Sequence, residues 1–261
     1  MLQIDFINVG YGDSILVRDT EASFSMLVDC GDVHVGQSRP DGLRTAAADY
    51  LRREGVETLD LLVLTHLHLD HAGGLAQLLP GIRVRELWTN YLPPEEAWGK
   101  QLAVPAGWSA GARCLMQSLN IYLEALDRLR AQGTQIRLIQ KTQGSRQLTP
   151  QLNVGIYLEE ARLQRRQAEI WSAALNGTAA GEDLDELDGF INNTSIRLRL
   201  SCAQTEIELP GDVYADCWER HSLSPCTIVK LPHHGHRGAL TPRLLEMLRP
   251  RYAVISVSDS R

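Results

Sequence analysis

Two short stretches hold most of the histidines in this chain, together with an aspartate. Six of the eight histidines fall in HLHLDHAGG and LPHHGHRG, and these stretches contain His66, His68, Asp70, His71, His233, His234 and His236. One histidine beside an apolar run is usually an ordinary core or surface residue, but three histidines and an aspartate within six positions are not explained that way. Imidazole and carboxylate are ligands for zinc, iron and manganese. The sequence therefore predicts a metal site.

The spacing of the first stretch predicts two ions. His66 and His68 are two positions apart, so on an extended backbone their side chains project to the same side. Asp70 and His71 come from the following turn and reach a second position beside the first. We expect two adjacent divalent ions, zinc first, with manganese or iron as alternatives.

A pair of ions needs a bridging anionic ligand, and Asp212 at the end of TEIELPGD offers one. An aspartate after a strand is by itself more often a turn residue. The HHG cluster follows 21 positions later, from 212 to 233, at the end of the next predicted strand, TIVKLP. Strand ends that meet at one edge of stacked sheets are a common place for a site. In combination with the first stretch, Asp212 and the HHG cluster favour a metal site over a simple turn.

The elements that must position these residues are strands in two groups. LQIDFINV, SILVRD and SFSMLVDC are typical of a three-stranded meander, 41–54 of a helix, and LDLLVLTH of a strand buried on both faces. The second group contains the hairpin TSIRLRLS and TEIELPGD, the strands TIVKLP and YAVISVS, and the helix TPRLLEMLRP. Two strand-rich halves flanked by helices predict an α/β, four-layer αββα sandwich.

Residues 91–190 separate the halves and carry no evident chemistry. They contain a long helix over 107–132, the strands TQIRLIQ and LNVGIYL, an Arg-rich helix over 161–176 and an acidic loop, EDLDELD. We interpret this stretch as an insertion within a single domain that spans 1–261. Its charges are those of a solvated face.

Composition excludes several classes of protein. The 261 residues include 26 Lys and Arg against 32 Asp and Glu, a net charge of −6, which does not support a surface that binds nucleic acid throughout. Apolar runs stay below the roughly 18 residues of a membrane span, and the N-terminus lacks the basic region of a signal peptide. Five cysteines without paired spacing favour a reduced, cytoplasmic location. The oligomeric state is not indicated.

The motifs resemble those of a known family. HLHLDHAGG resembles the HxHxDH signature of the metallo-β-lactamase-fold hydrolases. INVGYGDSILV, LVDCG, NNTSIRLRL, PGD and LPHHG resemble one bacterial branch of it, which includes the hydrolase domain of the competence (DNA-uptake) protein and phosphorylcholine esterases. The resemblance covers about 1–90 and 190–258.

The resemblance implies a role for each matching residue. His66 and His68 would hold one ion and Asp70 and His71 the other, with Asp212 as the bridge and His233 or His234 as the remaining ligand. Asp29 would orient ligands, and the loop with Gly10, Gly12 and Asp13 would approach the metals. Independently of the resemblance, Lys230 directly precedes HHG and could aid an anionic substrate, but on a strand we expect a simple surface lysine.

The chain departs from the family pattern in three places. No histidine lies between His71 and His221, where many members have another ligand, so the first ion is under-liganded or completed by water or substrate. The branch usually has HHGS where this chain has HHGH, which puts His236 in the place of the serine. The chain also stops at VISVSDSR, without the histidine-proline of relatives.

The expected activity is metal-dependent hydrolysis. A pair of ions lowers the pKa of bound water towards neutrality, so hydroxide is available at pH 7, held at Asp70 or at the bridging position. Whichever of His233, His234 and His236 is not a ligand could protonate the leaving group.

The expected substrates are phosphodiesters, as for a nuclease or phosphodiesterase, because the resembling branch acts on them. Arg162, Arg165 and Arg166 could line a groove for such anions. The alternatives are a lactonase or thioesterase that cleaves small esters, and a degenerate metal-binding module without catalysis, which the missing histidine and HHGH motivate.

Overall fold

Twelve strands form two six-stranded sheets in the computed structural model, which describes residues 1–33, 44–158, 160–221 and 223–257. The strands are β1 (Leu2–Phe6), β2 (Ile15–Asp19), β3 (Phe24–Val28), β4 (Thr58–Val63), β5 (Arg83–Thr89), β6 (Gln135–Leu138), β7 (Ser145–Thr149), β8 (Leu152–Tyr157), β9 (Arg197–Cys202), β10 (Thr205–Leu209), β11 (Ile228–Lys230) and β12 (Tyr252–Val254). The α-helices are α1 (Ala47–Arg53), α2 (Leu69–Ala72), α3 (Leu75–Leu78), α4 (Ala110–Gln132), α5 (Ala161–Leu175), α6 (Gly181–Asp188), α7 (Ala215–Trp218) and α8 (Pro242–Leu248).

Both sheets keep their strands in chain order. The first runs β1-β2-β3-β4-β5-β6, antiparallel from β1 to β3 and parallel from β3 to β6. The second runs β7-β8-β9-β10-β11-β12, antiparallel from β7 to β10 and parallel from β10 to β12. Each half of the chain is therefore a meander followed by parallel strands.

Alternation along the strands of the first sheet produces the layers. Successive side chains of a strand point to opposite faces. Val17 and Met26 pack with Leu198 of the second sheet, whereas their neighbours Leu16 and Leu27 pack with the helices. A third cluster joins α7 and α8 to the outer face of the second sheet through Val229. The result is the predicted α/β, four-layer αββα sandwich.

The parallel strands end at one edge of the sandwich, and the chemistry-bearing residues follow those ends. Asp29 follows β3, and His66 comes three residues after β4 ends. Asp212 follows β10, and His234 follows β11. Because parallel strands bring their carboxyl ends to the same edge, residues far apart in the sequence meet there.

The stretch 91–190 differs in one respect from the insertion that we expected. It contributes β6 to the first sheet and β7 and β8 to the second, so it carries part of both halves. Its long helix is α4, which packs on the first sheet. That one domain spans the whole chain stays a prediction.

One segment that we expected to be a loop is a helix in the structure. EDLDELD, expected as an acidic loop, forms α6, because Leu184 and Leu187 are three positions apart and both are fully buried. The helix expected over 41–54 is α1, and the part of that prediction before residue 44 lies outside the described residues.

The five cysteines are free thiols, whereas a cytoplasmic location stays a prediction. In the described ranges, every helix is too short or too polar to span a bilayer.

Two adjacent leucines on α8 allow a test of the helical layer that covers the second sheet. Leu244 is fully buried and Leu245 is 37% exposed. We expect Leu244→Ala to lower the free energy of unfolding by about 2–5 kcal/mol, because the substitution leaves a cavity beneath the helix. Leu245→Ala removes the same atoms from a surface position and should cost about 0.5 kcal/mol. Urea unfolding measures both, and equal losses would contradict the packing of α8 on the second sheet.

Candidate metal centre

His66 and His68 lie side by side after β4. His66 Nε2 is 3.1 Å from His68 Nδ1, and the two rings meet edge to face. Their extended backbone thus directs both side chains to one side, as the spacing predicted. Two ring nitrogens at this separation are placed to bind one cation.

A second set of ligand atoms lies beside the first. His71 Nε2 is 3.2 Å from Asp212 Oδ2 and 3.9 Å from Asp70 Oδ2. His234 Nε2 is 3.1 Å from Asp70 Oδ2 and 3.6 Å from Asp212 Oδ2. One atom from each of these four residues lies within 4.8 Å of the others. The ring of His66 lies 4.2 Å from that of His71, between centroids, so the two sets form one centre.

The structure distinguishes the two histidines that the sequence left as alternatives. His234 projects into the centre, whereas His233 lies beside the ring of Tyr214. Both residues have left-handed backbone angles, with φ of 45° and 52°, followed by Gly235 with φ of 76°. Such angles are costly for residues with a side chain and cluster at functional sites. This turn directs His234 inward and His233 towards the open side.

The remaining predicted residues have defined places as well. The backbone N–H of His233 donates to Asp212 Oδ1 at 3.1 Å, which fixes the carboxylate. His236 lies further out, 5.0 Å from His233 and 5.8 Å from Tyr214, between ring centroids. All predicted ligands except His233 therefore meet at one centre, and His236 stays outside it.

Three of the four rings in the centre are held from outside through their other nitrogen. Ser195 Oγ and Thr65 Oγ1 lie 3.2 and 3.1 Å from His66 Nδ1. Asp29 Oδ2 accepts from His71 Nδ1 at 2.8 Å. The carbonyl oxygen of Ser256 accepts from His234 Nδ1 at 3.1 Å. Such contacts fix the tautomer and orientation of a histidine ring, so the inward nitrogens are the atoms available to bind a metal.

Asp29 has the orienting role that the resemblance implied. It also accepts from the backbone N–H and the hydroxyl of Thr65, both at 2.8 Å. Burial raises its pKa, although the charge of His71 and these hydrogen bonds act in the opposite direction. Three hydrogen bonds therefore hold the carboxylate in place inside the protein.

The charges of the centre shift its pKa values strongly. Burial lowers the pKa of His71, but the carboxylates of Asp212, Asp29 and Asp70 outweigh burial and raise this pKa well above its usual value. The charge of His71 lowers the pKa of Asp212 and of Asp70 against the same opposition from burial. Burial lowers the pKa of His66. These directions favour ionised Asp70 and Asp212 beside a positively charged His71, with His66 as a neutral imidazole.

Lys230 corrects the sequence-based interpretation, because it is buried and not a surface lysine. Its side chain is 1% exposed and forms an ion pair with Asp13, which is 3% exposed. The backbone N–H of Asp13 donates to the carbonyl oxygen of Asp70 at 3.2 Å. Gly12 (φ 119°) lies so close to that carbonyl that a Cβ would collide with it. The pair therefore presses the loop of residues 10–13 against the metal ligands.

A second group of possible ligands, Asp13, Asp29 and His71, lies behind the first. The ammonium group of Lys230 already provides the cation for Asp13. Asp29 in turn accepts from His71. This group therefore supports the centre and does not form another one.

An open cavity of about 480 Å³ leads to the centre. It is lined by Tyr11, Asp32, His68, Leu69, Asp70, Gly111, Cys114, Asp188, Asn192, Asp212, Tyr214 and His233. Burial and the nearby Asp70 and Asp212 raise the pKa of Tyr11, and burial raises that of Tyr214. Burial lowers the pKa of His233. The approach to the centre is thus lined by two tyrosines and His233 together with the carboxylates of Asp32 and Asp188.

The sequence alone did not identify several of the residues that contact the centre or line its cavity. Ser195 was part of the quoted motif NNTSIRLRL but was given no role, although it contacts His66 Nδ1 and accepts from the backbone N–H of Asp212 at 3.3 Å. Asp188 belongs to the segment that we expected to be a solvated loop, and no motif in the sequence singles out Tyr214. A serine directly before a strand in a motif of the resembling branch was the one usable indication.

The arginines that were expected to line a substrate groove are not at the cavity. Arg166 forms ion pairs with Glu186 and Glu169 on the outer helices. Arg165 lines a different cavity, next to Asn90 and Gln164. All three arginines lie on α5 and line a separate cavity together with Glu160, Glu169 and Glu186.

Comparison with known proteins agrees with this geometry. Residues 7–99 match the family model of the Metallo-beta-lactamase superfamily. This segment includes the HxHxDH stretch and Asp29, and its strands β2–β5 are the centre of the first sheet. With the four-layer sandwich and the ligands at its edge, the match shows that the chain has the metallo-β-lactamase fold.

The similarity to individual proteins is distant. The chain is 21% identical to ComE operon protein 3 of Bacillus subtilis (strain 168), over 99% of its own length and 28% of that protein. It is 32% identical to the Anti-Pycsar protein Apyc1 of Bacillus phage BSP38 over 98 residues, 31% of this chain and 34% of that protein. The chain thus spans about a third or less of the curated relatives that it matches.

Solved structures give weaker matches. A diphosphatase of the PhnP family has a TM-score of 0.46 at 14% identity, over 99% of this chain and 88% of that one. The metallo-beta-lactamase fold protein YhfI from Bacillus subtilis has a TM-score of 0.46 at 13% identity, over 88% and 70%.

Breaking the ion pair between Lys230 and Asp13 tests its structural role. We expect Lys230→Met to lower the free energy of unfolding by about 3–5 kcal/mol, because it leaves a buried carboxylate without its cation. Chemical denaturation of the metal-free protein gives the value. The double variant Lys230→Met/Asp13→Asn should recover part of the loss, and a single variant as stable as the wild type would refute the role.

Proposed function

We propose that this chain is a metal-dependent hydrolase of the metallo-β-lactamase superfamily that acts on phosphodiesters. One observation carries the proposal: four inward imidazole nitrogens and two carboxylates converge at the open edge of the sandwich. The outer ring nitrogens of His66, His71 and His234 contact other protein groups. The inward atoms suit two divalent ions, zinc first.

The residues divide between two ion positions. His66 and His68 would hold one ion, and Asp70, His71 and His234 the other, with Asp212 in contact with both. When bound, such ions supply Lewis acidity and make water a nucleophile near neutral pH. The chain itself supplies fixed ligand orientation, because the buried groups behind the rings leave little freedom of rotation.

His233 is suited to act on the leaving group. It lines the cavity beside Asp212, and its side chain lies outside the ligand set. Its Nδ1 is buried and has no hydrogen-bond partner within the described ranges. We assign it the donation of a ring N–H to the leaving oxygen. His234 is used as a ligand, and His236 lies too far out on the rim.

The cavity favours small substrates over polymers. Its described lining contains no Lys or Arg, whereas Asp32 and Asp188 lie at its mouth. A bound metal centre would therefore be the main source of positive charge for a phosphate. A chain of phosphates such as nucleic acid would meet carboxylates on leaving the centre, which agrees with the net charge of −6. A compact phosphodiester fits this lining better.

The same lining supports a second candidate, the hydrolysis of small uncharged esters. The described lining offers no Lys or Arg as a dedicated group for a phosphate, and the fold leaves the substrate open. Activity on p-nitrophenyl acetate that exceeds activity on bis-p-nitrophenyl phosphate would favour this candidate. A third hypothesis, a metal-binding module without catalysis, predicts bound zinc and no turnover on either ester.

Replacement of Asp70 tests the hydrolase proposal. We expect about two zinc ions per chain in the wild type and hydrolysis of bis-p-nitrophenyl phosphate. Loss of even an outer partner of a ligand costs about 10–100-fold in metal affinity or activity. Asp70→Ala removes a ligand itself, so it should cost more, with secondary structure unchanged. Elemental analysis, steady-state rates and circular dichroism are measured on one preparation.

Asp49→Ala is the control, because Asp49 is exposed on α1, away from the cavity, and pairs only with Arg52 in the described part of the chain. It should match the wild type in metal content and rate. Wild-type protein without metal, or Asp70→Ala with full activity, would refute the proposed centre.

Leaving groups of different acidity test the role of His233. p-Nitrophenolate needs little protonation, so His233→Gln should slow its release only slightly. An alkyl alcohol needs a proton, and its release should slow by about 100-fold or more. The matched variant His236→Gln should slow both to the same small extent. Equal losses on both leaving groups in His233→Gln would show that the residue does not serve the leaving oxygen.

A further inference from the structure

His68 differs from the other rings of the centre in its outward nitrogen. Nε2 of His68 is shielded from water and makes no hydrogen bond of good geometry in the parts of the chain that are described. A carboxylate oxygen of Asp188, Oδ1, lies 3.3 Å from it. A buried ring nitrogen without a partner is costly, and the nearest charged acceptor is this aspartate.

The position of Asp188 results from helix packing. Asp188 is the last residue of α6, and α6 is held by Leu184 and Leu187 in the core beside α4. Its other oxygen, Oδ2, lies over Gly111 of α4, where an added Cβ would come within 2.7 Å. Only a residue without a side chain leaves that space, so the carboxylate is directed to the mouth of the centre.

The side chain retains freedom to improve the contact. It is 45% exposed, while that of His68 is 18% exposed. A small rotation of the carboxylate aligns it with an N–H on His68 Nε2. The ring would then carry its proton outward and present the lone pair of Nδ1 towards His66 Nε2, which lies 3.1 Å away.

We propose that Asp188 is the positioning residue for His68: its carboxylate accepts the Nε2 proton and thereby fixes Nδ1 as the ligand atom of the first ion. This inference rests on the proposed metal centre. Asp188 then completes the pattern that Asp29, Ser195 and the carbonyl of Ser256 form behind the other rings.

Fixing the orientation of His68 should affect the binding of the first ion strongly. Among the described residues, His66 and His68 are the two rings at that position, and the sequence has no histidine between His71 and His221. With few ligands, the orientation of each one contributes a larger share of the binding energy. A carboxylate behind the ring also increases the basicity of the ligand nitrogen.

Zinc affinity of the metal-free protein tests the proposal without any activity measurement. Competition with a chromophoric chelator gives the two site affinities for the wild type, Asp188→Ala and Asp188→Asn. We expect Asp188→Ala to weaken one of the two sites by about 10–100-fold and to leave the other unchanged. Asp188→Asn keeps an oxygen that accepts the Nε2 proton, so it should lose less than Asp188→Ala.

Two controls separate positioning from charge and from folding. Glu182→Gln removes an exposed charge from the first turn of the same helix, and it should leave both zinc affinities unchanged. Thermal unfolding of metal-free Asp188→Ala should match the wild type, because the side chain is half exposed and outside the core.

Two outcomes would overturn the proposal while the centre stands. Equal zinc affinities in Asp188→Ala and the wild type would show that Asp188 does not support His68. Equal, large losses in Asp188→Ala and Asp188→Asn would show that the carboxylate is itself a ligand. Wild-type protein that binds no zinc would instead refute the proposed function.

Discussion

The imidazole of His71 lies between two buried carboxylates that belong to different sheets. Asp29 follows β3 and contacts Nδ1 at 2.8 Å, and Asp212 follows β10 and contacts Nε2 at 3.2 Å. All three side chains are at most 1% exposed. Buried carboxylates are costly unless they are paired and hydrogen-bonded. The two sheets must therefore keep one fixed separation at this edge, and the other ligands are placed relative to that link.

A second buried link lies next to the first and joins the same two sheets. Lys230 at the end of β11 pairs with Asp13, which precedes β2. The loop of residues 10–13, which contains Asp13, in turn touches the backbone of Asp70 through Gly12. The shape of the centre thus depends on two ionic contacts across the sandwich, one through an imidazole and one through an ammonium group. Apolar packing between the sheets sets their distance, and these contacts set their alignment at the edge.

Much of this could be predicted because the signals are local. The strands alternate with period two, the HxHxDH spacing places His66 and His68 together, and the glycine after Leu209–Pro210 marks the turn before Asp212. The choice between His233 and His234 could not be predicted, because it depends on left-handed angles at both residues. Lys230 lies on a short strand, and only the packing of the loop with Asp13 against it shows that it is buried.

The acidic helix α6 shows why the position of Asp188 could not be predicted from the sequence. Its composition is that of a solvated segment, and only Leu184 and Leu187 indicate a buried face. Whether Asp188 then faces solvent or the centre depends on the angle between α6 and α4, to which Gly111 contributes by leaving out a side chain. Residue type alone does not encode that angle.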